Sequence, residues 1–554
     1  MTLNLLSSDH PATTLWKFLS SQSDVSFARV AFIAGVSGLA NAVLLAIINS
    51  AAHAVSTETM NVQLFLMFFV AITLYIVSQR YILRVSSTEV EKVIARVRVS
   101  VADKIRNADL QAIEGLGRAR IFASMTTDTL TISQATAPMI IACQGAILVA
   151  FSLVYMFVLS PTAFYLTIVI VALGVMVHFK NRKELHAEIT RSTAKEEEFF
   201  EALTHLLEGF KEVKLNAARG RELFEHLKRI AGAAREMKTK TGVRYADYYI
   251  FTQVLFYLLI GAMVFILPGL SKVYSAQVAR LTAAILFIIG PLTMVVGAFP
   301  VFRMATHAVE QIACLEADLG QAQSAASATA KGNGVVPAFS TIAVKDLVFS
   351  YPDQEGRPLF TVGPMSLTLT RGEILLLVGG NGSGKSTFLK LLTGLYYPTS
   401  GVIALDGMDV RTIGLKSFRQ LFSAIFSDYH LFDRLYGLAV EDRQVVDLLK
   451  LMQLEQKTFW QDGRFENQDL STGQRKRLAL IVSLLEDKPI YVFDEWAADQ
   501  DPSFRQFFYE TLLPEMKTRG KTIVAATHDD RYYHVGDRVL KMEAGRFAGP
   551  GGDA

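Results

Sequence analysis

Cysteine is nearly absent from this 554-residue chain: Cys143 and Cys314 are the only two. Two isolated thiols give neither a disulfide framework nor a metal-site spacing, and both read as small apolar fillers. Charge is sparse as well. Lys, Arg, Asp and Glu make up 19% of the residues and the net charge is only +3. That leaves no basic surplus of the kind nucleic-acid binding uses, so no nucleic-acid partner is expected. Apolar residues, by contrast, are 51% of the chain and concentrate in roughly the first 300 positions. A chain of this length exceeds one compact domain, and the uneven distribution divides it into an apolar half and a motif-rich half.

A helix needs about 20 mostly apolar residues to cross a bilayer, because backbone groups in lipid must bond internally. Six stretches qualify: residues 30–51, 62–82, 139–159, 163–179, 249–267 and 281–302. The expectation is an all-α, six-helix transmembrane domain surrounded by membrane lipid. Polar sequence precedes the first span, which has full spanning length, so no cleavable signal peptide is expected. Residues 13–19, with Trp16, Lys17 and Phe18, suit a short helix on the membrane surface.

Lys and Arg crowd two connections: Lys92, Arg96, Arg98, Lys104 and Arg106 in 84–134, and Lys180, Arg182, Lys183 and Lys195 in 180–247. The connection at 52–61 has neither residue type, and 268–279 carries just Lys272. Positive charge gathers on the cytoplasmic side, so the long connections and both termini are expected in the cytoplasm. Residues 90–113 and 197–227 mix charge with spaced apolar residues and read as helical continuations of the spans. At about 1.5 Å per residue they would reach well below the membrane. The turns near 115–125 and 208–217 are candidate coupling elements.

Polar side chains within the spans are few, among them Asn41, Gln63, Thr73, Gln144 and Tyr257, and no buried charge marks an ion path. That suits a large amphipathic cargo. Pro291 and Pro300 can kink the last span. Residues 305–319 read as helix, and 321–337, rich in Ala, Ser, Gly and Gln without apolar period, as a flexible linker. The expected domains are therefore 1–320, a linker at 321–338, and 339–554.

The second half carries the chemistry. Gly379, Gly380, Asn381, Gly382, Ser383, Gly384, Lys385, Ser386 and Thr387 follow an apolar strand-like run and precede a helix start. Strand, glycine loop and helix in that order form a phosphate-binding loop, with amides and the helix N-terminus aimed at the phosphates. Lys385 is expected to reach the β- and γ-phosphates of ATP, and the Ser386 hydroxyl to ligate Mg²⁺. A second apolar strand, 490–493, ends in Asp494 and Glu495. Asp494 is placed to hold Mg²⁺, and Glu495 to polarise the attacking water.

Leu470-Ser471-Thr472-Gly473-Gln474 resembles the Leu-Ser-Gly-Gly-Gln signature of ABC ATPases. His528 follows a strand at 522–526, where that family has its switch histidine, and Tyr351 stands where an aromatic stacks on adenine. The resemblance spans residues 341–547 and implies an α/β P-loop ABC ATPase. In that family two ATPase domains close head to tail, so Ser471, Gly473 and Gln474 would complete the site of a second copy, with Asp501 crossing the interface. It implies a homodimer with ATP and Mg²⁺ as cofactors. One position departs from the family pattern: Ser427 stands where a Mg²⁺-sensing glutamine is usual, and either Ser427 or Asp428 is expected to substitute.

Membrane part first and ATPase second resembles the exporter architecture. Residues 426–432 (Phe-Ser-Asp-Tyr-His-Leu-Phe), the signature, and 493–502 are similar to those of bacterial cyclic-peptide and peptide-siderophore exporters, the pyoverdine and syringomycin exporters among them. The run 208–216, Glu-Gly-Phe-Lys-Glu-Val-Lys-Leu-Asn, also resembles that group. The resemblance implies a multi-pass protein of the bacterial inner membrane that expels an amphipathic, peptide-like cargo. Periplasmic accessory partners are left open. A lipid or multidrug exporter, an importer on the exporter fold, and an ATP-gated regulator that moves nothing are the rival readings.

Overall fold

The computed structural model describes residues 27–54, 62–180, 191, 195, 198–270, 275–329, 338–353 and 357–548. The surface helix expected at 13–19 and most of the 52–61 connection lie outside these residues. The chain divides into two compact units: the chain to Val99 together with Ala123–Ala313, and Ser100–Phe122 together with Cys314–Ala554.

The first unit is helical. Among the described residues, three stretches are long and apolar enough to cross a membrane: Val62–Asn107, Arg120–Leu159 and Arg280–Gly320. Phe32–Ile48, Pro161–Gly174 and Gln253–Gly269 are shorter apolar helices at the remaining expected spans. The outer faces are apolar. Leu66, Val70, Val77, Val158 and Phe265 are each more than half exposed, an arrangement that water would penalise and lipid would not. Inside, Met156, Leu259, Met263, Leu281 and Ile285 pack into a closed cluster.

Hydroxyls in these helices bond their own backbone: Thr73 to the Phe69 carbonyl at 2.7 Å and Thr167 to the Ala163 carbonyl at 2.8 Å. Such local bonds satisfy these two hydroxyls without a partner from another helix. The helices Phe27–Ala54 and Val62–Asn107 also frame an apolar groove of about 720 Å³, in which Gln63 is the single polar lining residue. Where Val62–Asn107 outruns its apolar part, Arg98 donates to the Thr129 hydroxyl at 2.8 Å and to the Met125 carbonyl at 3.2 Å.

The last long helix, Ser275–Thr329, contains both Pro291 and Pro300 and continues past Gln321 to Thr329. The flexible linker expected from residue 321 is thus helical over its first nine residues. Ala322, Ala325, Ala326 and Ala328 explain the difference, since alanine has the highest intrinsic helix propensity and no apolar period is needed to use it. Two short helices occupy the expected turns. Leu110–Leu116, in the second unit, starts a few residues earlier than the turn expected there and ends at Gly117 with φ +77°. Phe210–Leu215 ends at Asn216, whose side chain caps the next helix by accepting from the Ala218 and Arg219 amides.

The second unit holds strands β1 (Thr341–Pro352), β2 (Pro358–Thr370), β3 (Ile374–Val378), β4 (Ser400–Leu405), β5 (Met408–Asp409), β6 (Phe422–Ile425), β7 (Trp460–Gln461), β8 (Arg464–Phe465), β9 (Ile490–Asp494), β10 (Thr522–Thr527), β11 (Arg538–Glu543) and β12 (Arg546–Ala548). An antiparallel sheet runs β2-β1-β4-β5, and β7 pairs with β8. A six-stranded sheet runs β12-β11-β3-β10-β9-β6, parallel except for β12.

Its central strands are apolar along their whole length because both faces are covered. In β3, Leu375 and Leu377 enter one core while Ile374 and Leu376 enter the other. The strand order matters for function: β10 lies between β3 and β9, so the carboxyl ends of three parallel strands open onto one place.

Candidate nucleotide site

All of β3 is buried, and the chain leaves it through Gly379 at φ +155°. A Cβ there would stand 2.2 Å from the Met542 carbonyl oxygen, so only glycine lets the loop turn against β11. The loop continues through Asn381, Gly382 (φ +76°), Ser383 and Gly384 (φ +101°) into the helix Lys385–Leu392. Its first turn carries Lys385, Ser386 and Thr387.

Lys385 is buried, and its ammonium donates to the Gly379 and Gly380 carbonyls at 2.9 and 3.1 Å. It also lies 3.3 Å from the Glu495 carboxylate. The Ser383 hydroxyl is buried without a hydrogen-bond partner inside the loop. A positive, donor-rich cradle with an unmatched hydroxyl fits a phosphate chain.

β9 delivers Asp494 and Glu495. Asp494 is 1% exposed; its Oδ2 accepts from the Ser427 hydroxyl at 3.1 Å, while Oδ1 has no partner. A buried carboxylate oxygen left open beside a phosphate cradle is suited to a hard cation or a water bound to one. Among the described residues no cluster of three His, Cys, Asp or Glu forms a self-contained metal site. The donor set therefore fits a Mg²⁺ that also needs phosphate oxygens. Of the two substitutes expected at the glutamine position, Ser427 meets Asp494; Asp428 is exposed and makes no such contact.

Glu495 has left-handed backbone, φ +51°, which costs a non-glycine residue roughly 1–2 kcal/mol. Its amide donates to Ala526 O, and its own carbonyl accepts from Lys476 at 2.8 Å, so both backbone groups are held. His528, just past β10, places Nε2 2.7 Å from Glu495 Oε1 and 3.2 Å from the Lys385 ammonium. One ring nitrogen cannot both donate and accept, and the shorter contact assigns its proton to the carboxylate. Burial pushes the Glu495 carboxyl up, but the His528 bond and the Lys385 charge outweigh it and hold the group below its usual range.

Tyr351 bonds the Thr387 hydroxyl at 3.1 Å, which pins its ring beside the start of the phosphate-loop helix. Ser471 and Gln474 are joined to each other in a capping box that starts the helix Thr472–Glu486. A Cβ on Gly473 would lie 2.6 Å from the Asp499 carbonyl oxygen. Asp501 caps the helix Pro502–Gln506; its Ser503 and Phe504 bonds hold its pKa at about 2. Thus 471–474 and 501 form their own cluster, and no hydrogen bond links it to residues 379–387 among the described residues.

Three residues of that cluster escaped the sequence reading. Buried Lys476 pairs with Asp499 at 2.7 Å. Arg477 lies 3.7 Å from the Phe504 ring and pairs with Asp501, and Gln500 donates to the Gly473 carbonyl. For Lys476 and Arg477 the one signal available was their position in the basic run directly after Gln474.

These features define a P-loop ATPase whose signature segment is ordered apart from the phosphate loop. The family model of the ABC transporter matches residues 362–498. The ATP-binding protein SyrD of Pseudomonas syringae pv. syringae is 31% identical across 98% of this chain and 95% of its own length. The mitochondrial iron-sulfur clusters transporter atm1 of Neurospora crassa is 30% identical over 38% of this chain and 31% of its own. The subtilin transport ATP-binding protein SpaT of Bacillus subtilis is 26% identical over 39% and 38%. The chain belongs to the ABC transporter family, of the exporter type. It binds ATP in the α/β domain and couples hydrolysis to transport across the membrane in which its apolar helices lie.

Proposed function

We propose that the protein is a homodimeric half-transporter with six spans per chain. It moves a cyclic peptide or peptide siderophore, or its precursor, from cytoplasm to periplasm by alternating access. The membrane domain is read as residues 1–320 and the ATPase as 339–554, in the bacterial inner membrane with both termini cytoplasmic. The observation that carries this reading is the reach of the likeness to SyrD. It extends over 98% of the chain, membrane half included, whereas the likenesses to atm1 and SpaT cover 38% and 39%. The strings at 426–432, 470–474 and 493–502, similar to those of peptide and siderophore exporters, support the same cargo class.

In this reading Lys385 and the amides of 379–387 hold the β- and γ-phosphates, and Tyr351 stacks on adenine. Ser386 and Asp494 would hold Mg²⁺, with Ser427 orienting Asp494, and a cation held there would neutralise charge on the phosphates. Glu495 takes the proton of the attacking water. His528 fixes that carboxylate from one side, and the Lys476 bond to its carbonyl fixes the backbone from the other. Ser471, Gly473 and Gln474 of one copy face the phosphates bound by the other, with Asp501 at the junction. Closure of the two ATPase domains on ATP passes through the short helices Leu110–Leu116 and Phe210–Leu215 to the spans, and hydrolysis resets them.

The test is ATP-dependent uptake into inside-out vesicles, using a panel of cyclic peptides and peptide siderophores with Glu495→Gln as blank. Uptake of one class above the blank supports export of that class. ATPase activity without uptake of any panel member removes the peptide reading and turns attention to lipids and drugs.

A further inference from the structure

The phosphate-loop helix has a second connection that nucleotide binding does not explain. Eight residues long, it spans about 12 Å and carries the phosphate cradle at its start. Just beyond its end stand two consecutive tyrosines, Tyr396 and Tyr397. The Leu395 and Tyr396 amides both donate to the Lys390 carbonyl, which locks the tyrosines to the helix.

Both phenols reach the short helix Leu110–Leu116. The Tyr397 hydroxyl donates to Asp109 at 2.7 Å, and Arg419 braces that carboxylate at 3.5 Å. The Tyr396 hydroxyl donates to Glu114 at 2.6 Å, and Lys390 bonds the other oxygen of Glu114 at 3.3 Å. Burial and the Glu114 acceptor push the Tyr396 phenol far up, so it stays a donor at any working pH.

Tyr396 is 3% exposed, and its ring packs against Phe349 at 5.1 Å and edge-on to Tyr351 at 6.1 Å. Tyr351 in turn bonds Thr387 in the phosphate loop. A continuous path therefore runs from Glu114 through Tyr396 to Tyr351. We infer that Glu114 and Tyr396 are positioning residues for the nucleobase side of the ATP site, so that the short helix Leu110–Leu116 sets the orientation of Tyr351. This rests on the reading of Tyr351 as the ring that stacks on adenine. Glu114 holds the Tyr396 hydroxyl, the buried Tyr396 ring limits how Tyr351 can tilt, and movement of the short helix changes base binding without touching the phosphates.

The experiment measures KM for ATP and inhibition by inorganic tripolyphosphate, which has no base, on the full-length protein. The variants are Glu114→Gln, Tyr396→Phe, the pair together, and Tyr351→Leu. Each single change on the path raises KM for ATP about three- to tenfold, the scale of one lost intramolecular hydrogen bond. The pair raises it no further than the stronger single change, and the tripolyphosphate inhibition constant stays within about twofold. A parallel rise in both constants would mean general damage to the loop and overturns the inference. So do additive effects, or an unchanged KM in Glu114→Gln and Tyr396→Phe while Tyr351→Leu raises it. An unchanged KM in Tyr351→Leu instead removes the stacking reading itself. Both path variants are close in shape to the wild type, and Glu114 is partly exposed, so folding survives the test.

Discussion

Replacing Glu495 by glutamine keeps the shape of the side chain and removes its charge and its ability to take a proton. The backbone bonds of residue 495, to Ala526 and Lys476, do not involve the carboxylate, so the strained turn persists. General-base catalysis contributes about 10²- to 10⁴-fold, or about 3–5 kcal/mol of barrier, and turnover should fall by that range. ATP binding should not weaken. The carboxylate lies 3.3 Å from the Lys385 ammonium, a gross attraction of about 5 kcal/mol at an effective dielectric of 20. Incoming phosphate must compete with it.

The same pair sets a pH signature. The folded Glu495 carboxyl lies below its ordinary value of about 4.3. Its stabilising contribution is therefore complete above the unfolded value and lost as pH falls through the folded one. The wild type should melt at a higher temperature than Glu495→Gln above about pH 5, with the gap closing toward pH 3. Phosphate release and thermal melting across pH measure both effects. Turnover above about a tenth of wild type, where general-base loss predicts a hundredth or less, refutes the assignment of Glu495.

Two more substitutions probe the cradle and the cation. Gly379→Ala drives a methyl group to 2.2 Å from the Met542 carbonyl, and should weaken ATP binding at least about tenfold by equilibrium titration. A normal affinity would show that the loop does not bind phosphate in this conformation. Ser427→Ala removes the bond to Asp494 Oδ2 and should raise the Mg²⁺ concentration for half-maximal ATPase about three- to tenfold, with Asp428→Ala near wild type. The reverse ranking would assign the missing glutamine's place to Asp428.

The parts of the site that were legible in sequence are those built from adjacent residues. A glycine loop between a buried strand and a helix is a local demand, and Gly379 to Thr387 meet it in nine consecutive positions. Asp494 and Glu495 could be placed because an apolar strand points to its own end. What escaped depends on contacts across long stretches of chain. Ser427 and Asp428 are equivalent in sequence, and only the pairing of β6 with β9 decides which one meets Asp494. Lys476 and Arg477 sit in a basic run whose residue types do not say which way each side chain turns, and the fold turns Lys476 inward to Glu495 and Asp499. Glu114 and Tyr396 are 282 residues apart. The end of the last long helix was misjudged for a different reason, since alanine supports a helix without the apolar period by which helices are recognised.

The mechanism depends on a nucleotide site shared between two copies, and mixed dimers test that directly. One copy carries Lys385→Met, the other Gly473→Ala, and dimers holding both are purified through two different tags. Head-to-tail sharing puts both defects in one site and leaves the other intact, so the mixed dimer should hydrolyse ATP well above either parent. Activity no higher than the mean of the two parents would mean that each chain completes its own site, and would contradict the account.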